Sequence, residues 1–182
     1  MRFVPGELDG TWLVELEPHL DERGFFARSF CVDEFAEHGL PTAFPQTNLS
    51  RNTRAGTLRG MHFNVTAEAE GKLVRCTRGA IHDVVVDLRP DSATYLRSFA
   101  ASLDADGGRA LYVPPHFAHG FVTLTDATDV EYLMTRSYVA DAGRGARWDD
   151  PAFAIEWPRP PAVISARDAT YPDFEPSVLD GP

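Results

Sequence analysis

Residues 72–88 read KLVRCTRGAIHDVVVDL. Two runs rich in β-branched residues, KLVRCTRG and AIHDVVVDL, meet at TRGA (77–80), the pattern of two short strands joined by a turn. Alternation along the first run puts Lys72 on one face with Val74 and Cys76. The same punctuation repeats outward. TWLVELEPHL (11–20), FFARSFCV (25–32) and TLRGMHF (57–63) come before; YLRSFAASL (95–103), ALYVPP (110–115), HGFVTL (119–124) and VEYLMTRSYV (130–139) come after. DERG, TRAG, RPDSAT, DADGG, VPPHFAHG and TDATD separate them. Many short strands at this spacing predict an all-β sandwich, jelly roll or barrel. One helix is predicted over VDEFAEHG (32–39), with Asp33 as N-cap and Gly39 past its end. Six prolines from Pro151 to Pro176 predict an extended tail wrapped on the rest.

The chain has 182 residues, which predicts one domain over 1–182 with a substantial core. A formal charge of −10 argues against nucleic-acid or anionic-membrane partners. An anionic small substrate would then need a local basic cluster. Cys31 and Cys76 make neither a disulfide framework nor a zinc site. MRFVPGELDG has charged residues with no apolar run after them, so no signal peptide is expected, and no run of 18 apolar residues occurs. The expected location is the reducing cytoplasm.

Sixteen arginines accompany a single lysine, Lys72. An ammonium is a compact point charge where a guanidinium is a planar fork, so the two are not interchangeable in a tight site. Lys72 reads as the electrophilic partner of a reacting oxygen with His62 as the base beside it, or as an exposed lysine at a strand start. In FPQTNLS (44–50), Phe44, Gln46, Asn48 and Ser50 share a face, and two amides there fit a pocket better than a core. In VEYLMTRSYV, Tyr132, Met134, Arg136 and Tyr138 share a face. Tyr132 is a candidate acid or a half-buried aromatic; Tyr138 is a stacking ring or packing. Arg59 and His62 fall on opposite faces of TLRGMHF, so joint service at one site requires a distortion, for which Gly60 is the natural bulge. One of His116 and His119 is a site candidate and the other an exposed side chain. Asp168, in ISARDATYP, either orients a histidine or, on position alone, sits at the surface. Arg23, in DERG, is a turn residue or an anion contact. A metal site lacks ligands at ligand spacing: His62 has no nearby second histidine, and nothing singles out Glu68 or Glu70 as a third ligand.

Taken in order, DERGFF, QTNLSRN, GTLRGMHF, GKLVRCTRGAIHDVVVDLRPDSATY, LYVPPHFAHGF, EYLMTRSYV, GARWDDPAFAIEWP and ISARD resemble the dTDP-4-dehydrorhamnose 3,5-epimerase family over residues 21–168. The resemblance implies a cupin-type double-stranded β-helix (a jelly roll) with short helical segments and an extended C-terminal tail. It also implies a nucleotide-linked 4-keto-6-deoxy sugar as substrate, inversion at C-3, C-5 or both, and neither cofactor nor metal. His62 would take the proton next to the C-4 ketone, Asp168 would complete its dyad, Tyr132 would return a proton on the opposite face, and Lys72 would stabilise the enolate oxygen. Arg59 and His119 would contact the diphosphate, and Gln46 and Asn48 would line the pocket. Arg23 and Phe26 would reach a second subunit through exchanged N-terminal strands in a homodimer, and Tyr138 would stack on the base. The residue types suit the chemistry: an oxyanion donor is worth roughly 3–4 kcal/mol, and each proton transfer about 10²–10⁴-fold.

Three departures stand out. Arg28 occupies the position of a family glutamate near the nucleotide base, which leaves a CDP- or GDP-linked substrate as an alternative to dTDP. The family's Gln-Gly-Lys is Glu70-Gly71-Lys72 here. A family proline pair is missing from NVTAEAE (64–70). A metal-dependent cupin oxygenase or isomerase and a silent sugar-binding cupin are the alternatives from other classes.

Overall fold

The computed structural model describes residues 1–180. In chain order its strands are β1 (Arg2–Pro5), β2 (Trp12–Glu15), β3 (His19–Asp21), β4 (Gly24–Phe26), β5 (Gln46–Asn52), β6 (Thr57–Asn64), β7 (Lys72–Arg78), β8 (Ala80–Asp87), β9 (Ser98–Asp104), β10 (Ala110–Val113), β11 (Phe117–Thr123), β12 (Thr128–Met134), β13 (Gly143–Gly145) and β14 (Val163–Ile164). Two short α-helices, α1 (Val32–Glu37) and α2 (Ala166–Ala169), and two 3-10 turns, Thr66–Glu68 and Pro176–Leu179, complete the described residues. One sheet runs β1-β2-β10-β7-β12-β5 and the other β13-β6-β11-β8-β9, with β14 pairing parallel to β6. This is the expected jelly roll. The opening hairpin motif splits between the layers: β7 belongs to the first sheet and β8 to the second.

Alternation explains the layers. Val74 and Cys76 of β7 meet Ile81 and Val85 of β8, Leu111, Phe117 and Phe121 between the sheets. The unbroken Val84-Val85-Val86 run is buried on both faces of its sheet. Val84 and Val86 point outward, where Phe153, Phe174 and Leu179 of the C-terminal tail cover them. Behind the first sheet, Phe35 of α1 packs with Leu73, Val14 and Tyr112. At about 25 cal/mol per Å² these burials are the main source of stability.

The structure corrects several boundaries. Pro18, which lacks an N–H, lies in the break between β2 and β3. FFARSFCV stays extended only to Phe26, because Phe30 turns into the aromatic cluster, 4.8 Å from Phe35 by ring centroids. Cys31, not Asp33, is the N-cap of α1, and Asp33 lies in the first turn; Gly39 follows the helix with φ +67° as expected. β12 stops at Met134, where Thr135 turns back to bond Gly71, so Arg136 and Tyr138 do not continue its face. Phe44 precedes β5 and joins the cluster around Phe35.

Candidate active site

The distortion at Gly60 is present. His62 pairs with His119 while Arg59 pairs with Phe121, so β6 carries one more residue than β11 over that step. Gly60 has φ +141°, and a Cβ there would lie 2.6 Å from the Cα of Gly120. A Cβ on Gly120 would in turn meet Met61 Sδ at 2.7 Å. Both positions must therefore be glycine. The bulge turns Arg59 and His62 to the same side, and both line a cavity of about 330 Å³ between the sheets.

Lys72, Tyr132, His119 and Asn48 line the same cavity. Lys72 and Tyr132 come from adjacent strands of the first sheet, where Lys72 is opposite Met134 and Tyr132 is opposite Val74. His62 and His119 come from the second. A ring held in the cavity thus meets an imidazole from one wall and a phenol from the other, with an ammonium beside the phenol.

Asp168 arrives from the tail. Ser165 caps α2 by accepting a hydrogen bond from the Asp168 N–H at 3.0 Å. The carboxylate is buried, with Oδ1 2.9 Å from His62 Nε2 and Oδ2 accepting from the Gly60 N–H at 3.3 Å. The surface placement suggested by position alone is therefore wrong. Burial works to raise the Asp168 carboxyl, but the His62 bond and charge, with the Gly60 N–H, outweigh it and leave its pKa below the ordinary value.

Burial lowers the Lys72 pKa, opposed by the negative charges of Glu70 and Asp83. Burial likewise raises that of Tyr132, reinforced by Asp83 and opposed by Arg59, so the phenol keeps its proton. Arg59 Nε donates to Asn52 Oδ1 at 2.8 Å, and that buried amide also donates to Thr128 O. Gln46 does not itself line the cavity; its Nε2 donates to Asn48 Oδ1 at 3.0 Å. Of the two histidines, His119 is in the cavity wall and His116 is in the turn before β11.

Besides Gln46, four expected residues are not brought to this cavity within the chain. Arg23 is paired with Asp21 on the exposed β3–β4 hairpin. Phe26 is 76% exposed and borders a separate cavity with Arg28. Arg28 is held by Glu34 at 2.6 Å. Tyr138 is 77% exposed beyond the end of β12, its N–H donating to Gln46 Oε1.

Sequence reasoning missed Asp83, whose Oδ1 is 2.8 Å from His119 Nε2. Its signal was present: alternation in AIHDVVVD puts it on the inward face with Ile81 and Val85, where a carboxylate needs a partner. Asn52 was missed because a strand-end amide announces nothing by spacing. Among the described residues, no three His, Cys, Asp or Glu side chains form a metal-holding group.

Comparison with known proteins follows the same line. The model of the dTDP-4-dehydrorhamnose 3,5-epimerase family matches residues 5–176. The dTDP-4-dehydrorhamnose 3,5-epimerase of Sinorhizobium fredii is 43% identical over 155 residues, covering 85% of this chain and 80% of that protein. A dTDP-4-dehydrorhamnose 3-epimerase of Streptomyces niveus is 38% identical over 169 residues, covering 92% and 81%. The crystal structure of the Bacillus anthracis dTDP-4-dehydrorhamnose 3,5-epimerase with TDP and PPi bound aligns with a TM-score of 0.91 at 38% identity, covering 95% of this chain and 99% of that one. The chain belongs to the dTDP-4-dehydrorhamnose 3,5-epimerase family.

Proposed function

We propose that the protein is an isomerase that inverts C-3, C-5 or both of a dTDP-linked 4-keto-6-deoxy sugar in deoxysugar biosynthesis. The observation that carries this reading is the opposition of His62 and Tyr132 on facing sheets with Lys72 beside Tyr132. His62, oriented by Asp168, removes the proton next to the C-4 ketone. Charge develops on the ketone oxygen, where the Lys72 ammonium stabilises it. Tyr132, kept protonated by its burial, delivers a proton to the opposite face, which inverts the carbon. Arg59 and His119 meet the diphosphate, with Asn48 in the same wall and Gln46 hydrogen-bonded to it; Arg59 and Lys72 give a chain of charge −10 a local positive field at the site. The relatives are named for dTDP sugars, which favours dTDP over the CDP- and GDP-linked alternatives raised by Arg28.

The β3–β4 hairpin supports a homodimer with exchanged N-terminal strands. Its strands pair only with each other among the described residues, and Leu20 is 79% exposed beside exposed Phe25 and Phe26. Covered by a second copy, it would bring Arg23, Phe26 and Arg28 to that copy's cavity, with Tyr138 against the base. Among the described residues no helix is long and apolar enough to cross a membrane; the cytoplasm is the proposed location.

Incubation with dTDP-4-keto-6-deoxyglucose in D₂O, followed by proton NMR, tests the reaction. Deuterium is expected at C-3, C-5 or both, which also separates a mono- from a double epimerase. No exchange at either carbon would overturn the reading.

A further inference from the structure

Glu70 contributes the one carboxylate among the residues lining the main cavity, and it lines a neighbouring cavity together with Lys72, Arg144 and Arg167. The backbone sets this direction. A Cβ on Gly71 would come within 2.9 Å of Tyr112 Oη and 3.2 Å of Val113 O, so position 71 faces β10 and positions 70 and 72 face the opposite way. Thr135 clamps the segment: Gly71 N–H donates to Thr135 Oγ1 at 2.8 Å, and Thr135 N–H donates to Gly71 O at 3.0 Å. Glu70 and Lys72 are thereby fixed side by side at the cavity wall.

The surrounding charges are unequal. Arg59 from β6 lines the main cavity, Arg144 from β13 and Arg167 from α2 line its neighbour, and Arg136 follows β12. Each disfavours a further cation. Arg136 is itself paired with Glu68 at 2.7 Å. Of the carboxylates, Asp168 is bonded to His62 and Asp83, on β8, to His119 of β11. Tyr132 from β12 stays neutral. Burial raises the Glu70 pKa against the opposing charges of Lys72 and Arg136, and among the described residues its carboxylate makes no hydrogen bond.

We propose that Glu70 is a charge-setting residue, whose carboxylate holds the Lys72 side chain in its ammonium form and thereby fixes the upper pH limit of the reaction. This rests on the assignment of Lys72 as the partner of the enolate oxygen. Glu70 acts through Lys72 and is a positioning residue, not a catalytic one. Its charge opposes the burial that lowers the Lys72 pKa.

The single lysine makes the test direct. Protein labelled with ¹³C-lysine gives one Lys spin system, whose Cε shift reports the Lys72 titration without reference to turnover. The midpoint is expected to fall by about one pH unit in Glu70→Gln and to recover most of that in Glu70→Asp. The alkaline limb of deuterium exchange should move with it. A midpoint unchanged in Glu70→Gln overturns the proposal, even where Lys72→Met abolishes exchange and so upholds the Lys72 assignment. A midpoint that falls while Lys72→Met exchanges normally overturns the Lys72 assignment, and with it the pH limit, leaving only the electrostatic coupling.

Discussion

His62 and His119 are paired residues on β6 and β11, and each has a carboxylate at hydrogen-bond distance, Asp168 at 2.9 Å and Asp83 at 2.8 Å. The chemical motif is the same in both. The surroundings are not: the His62 side chain is 43% exposed to the cavity, while that of His119 is 5% exposed and Asp83 is fully buried. Asp83 Oδ2 has no hydrogen-bond partner among the described residues. A histidine–carboxylate pair alone therefore does not mark a base. The open pair can exchange a proton with a bound molecule; in the sealed one the carboxylate is wholly buried and only the edge of the imidazole reaches the cavity.

The comparison breaks if the two pairs respond alike to deletion. His62→Ala is expected to slow deuterium exchange by about 10²–10⁴-fold, roughly 3–5 kcal/mol of transition-state stabilisation. Its urea-unfolding free energy should fall by less than that of His119→Ala, since the ring lost is half-exposed and Asp168 keeps the Gly60 N–H as a donor. His119→Ala should cost about 3 kcal/mol in the same unfolding measurement, because it strands a buried carboxylate. If His62→Ala proves the less stable of the two, the distinction fails.

A smaller effect sharpens the contrast in acid. The Asp168 pKa is depressed chiefly through His62. Its contribution to stability is complete above the unfolded carboxylate value of about 3.9. It is lost as pH falls through the lower folded value. Unfolding measured between pH 6 and pH 2 should therefore show a shallower acid loss in His62→Ala than in the unmodified protein. Equal slopes would mean that the His62 bond does not set the Asp168 pKa.

The contrast also shows what the sequence made legible. His62, Lys72 and Tyr132 lie on strands whose alternation is plain, and the Gly60 bulge followed from the parity conflict between Arg59 and His62. Asp168 did not follow: it comes 106 residues after His62, from a proline-rich tail without periodicity. Position left Asp168 either orienting a histidine or at the surface, and only the family resemblance tied it to His62. Phe26 was named from that resemblance alone, and Arg23 and Tyr138 took their partner-reaching and base-stacking roles from it; the exposure of all three has no local cause that composition or spacing reveals. The N-cap of α1 was misjudged because Asp33 looks like a cap by type, whereas the aromatic cluster beneath the helix fixes where it starts.

The separation of His62 from Asp168 has a consequence in time. Chains grow at about 5–20 residues per second, so the ribosome adds Asp168 roughly 5–20 s after His62. During that interval the nascent barrel has its imidazole but lacks the carboxylate that steadies it. The His62–Asp168 pair is thus complete only once the tail has been made and laid against β6, late in the birth of each molecule.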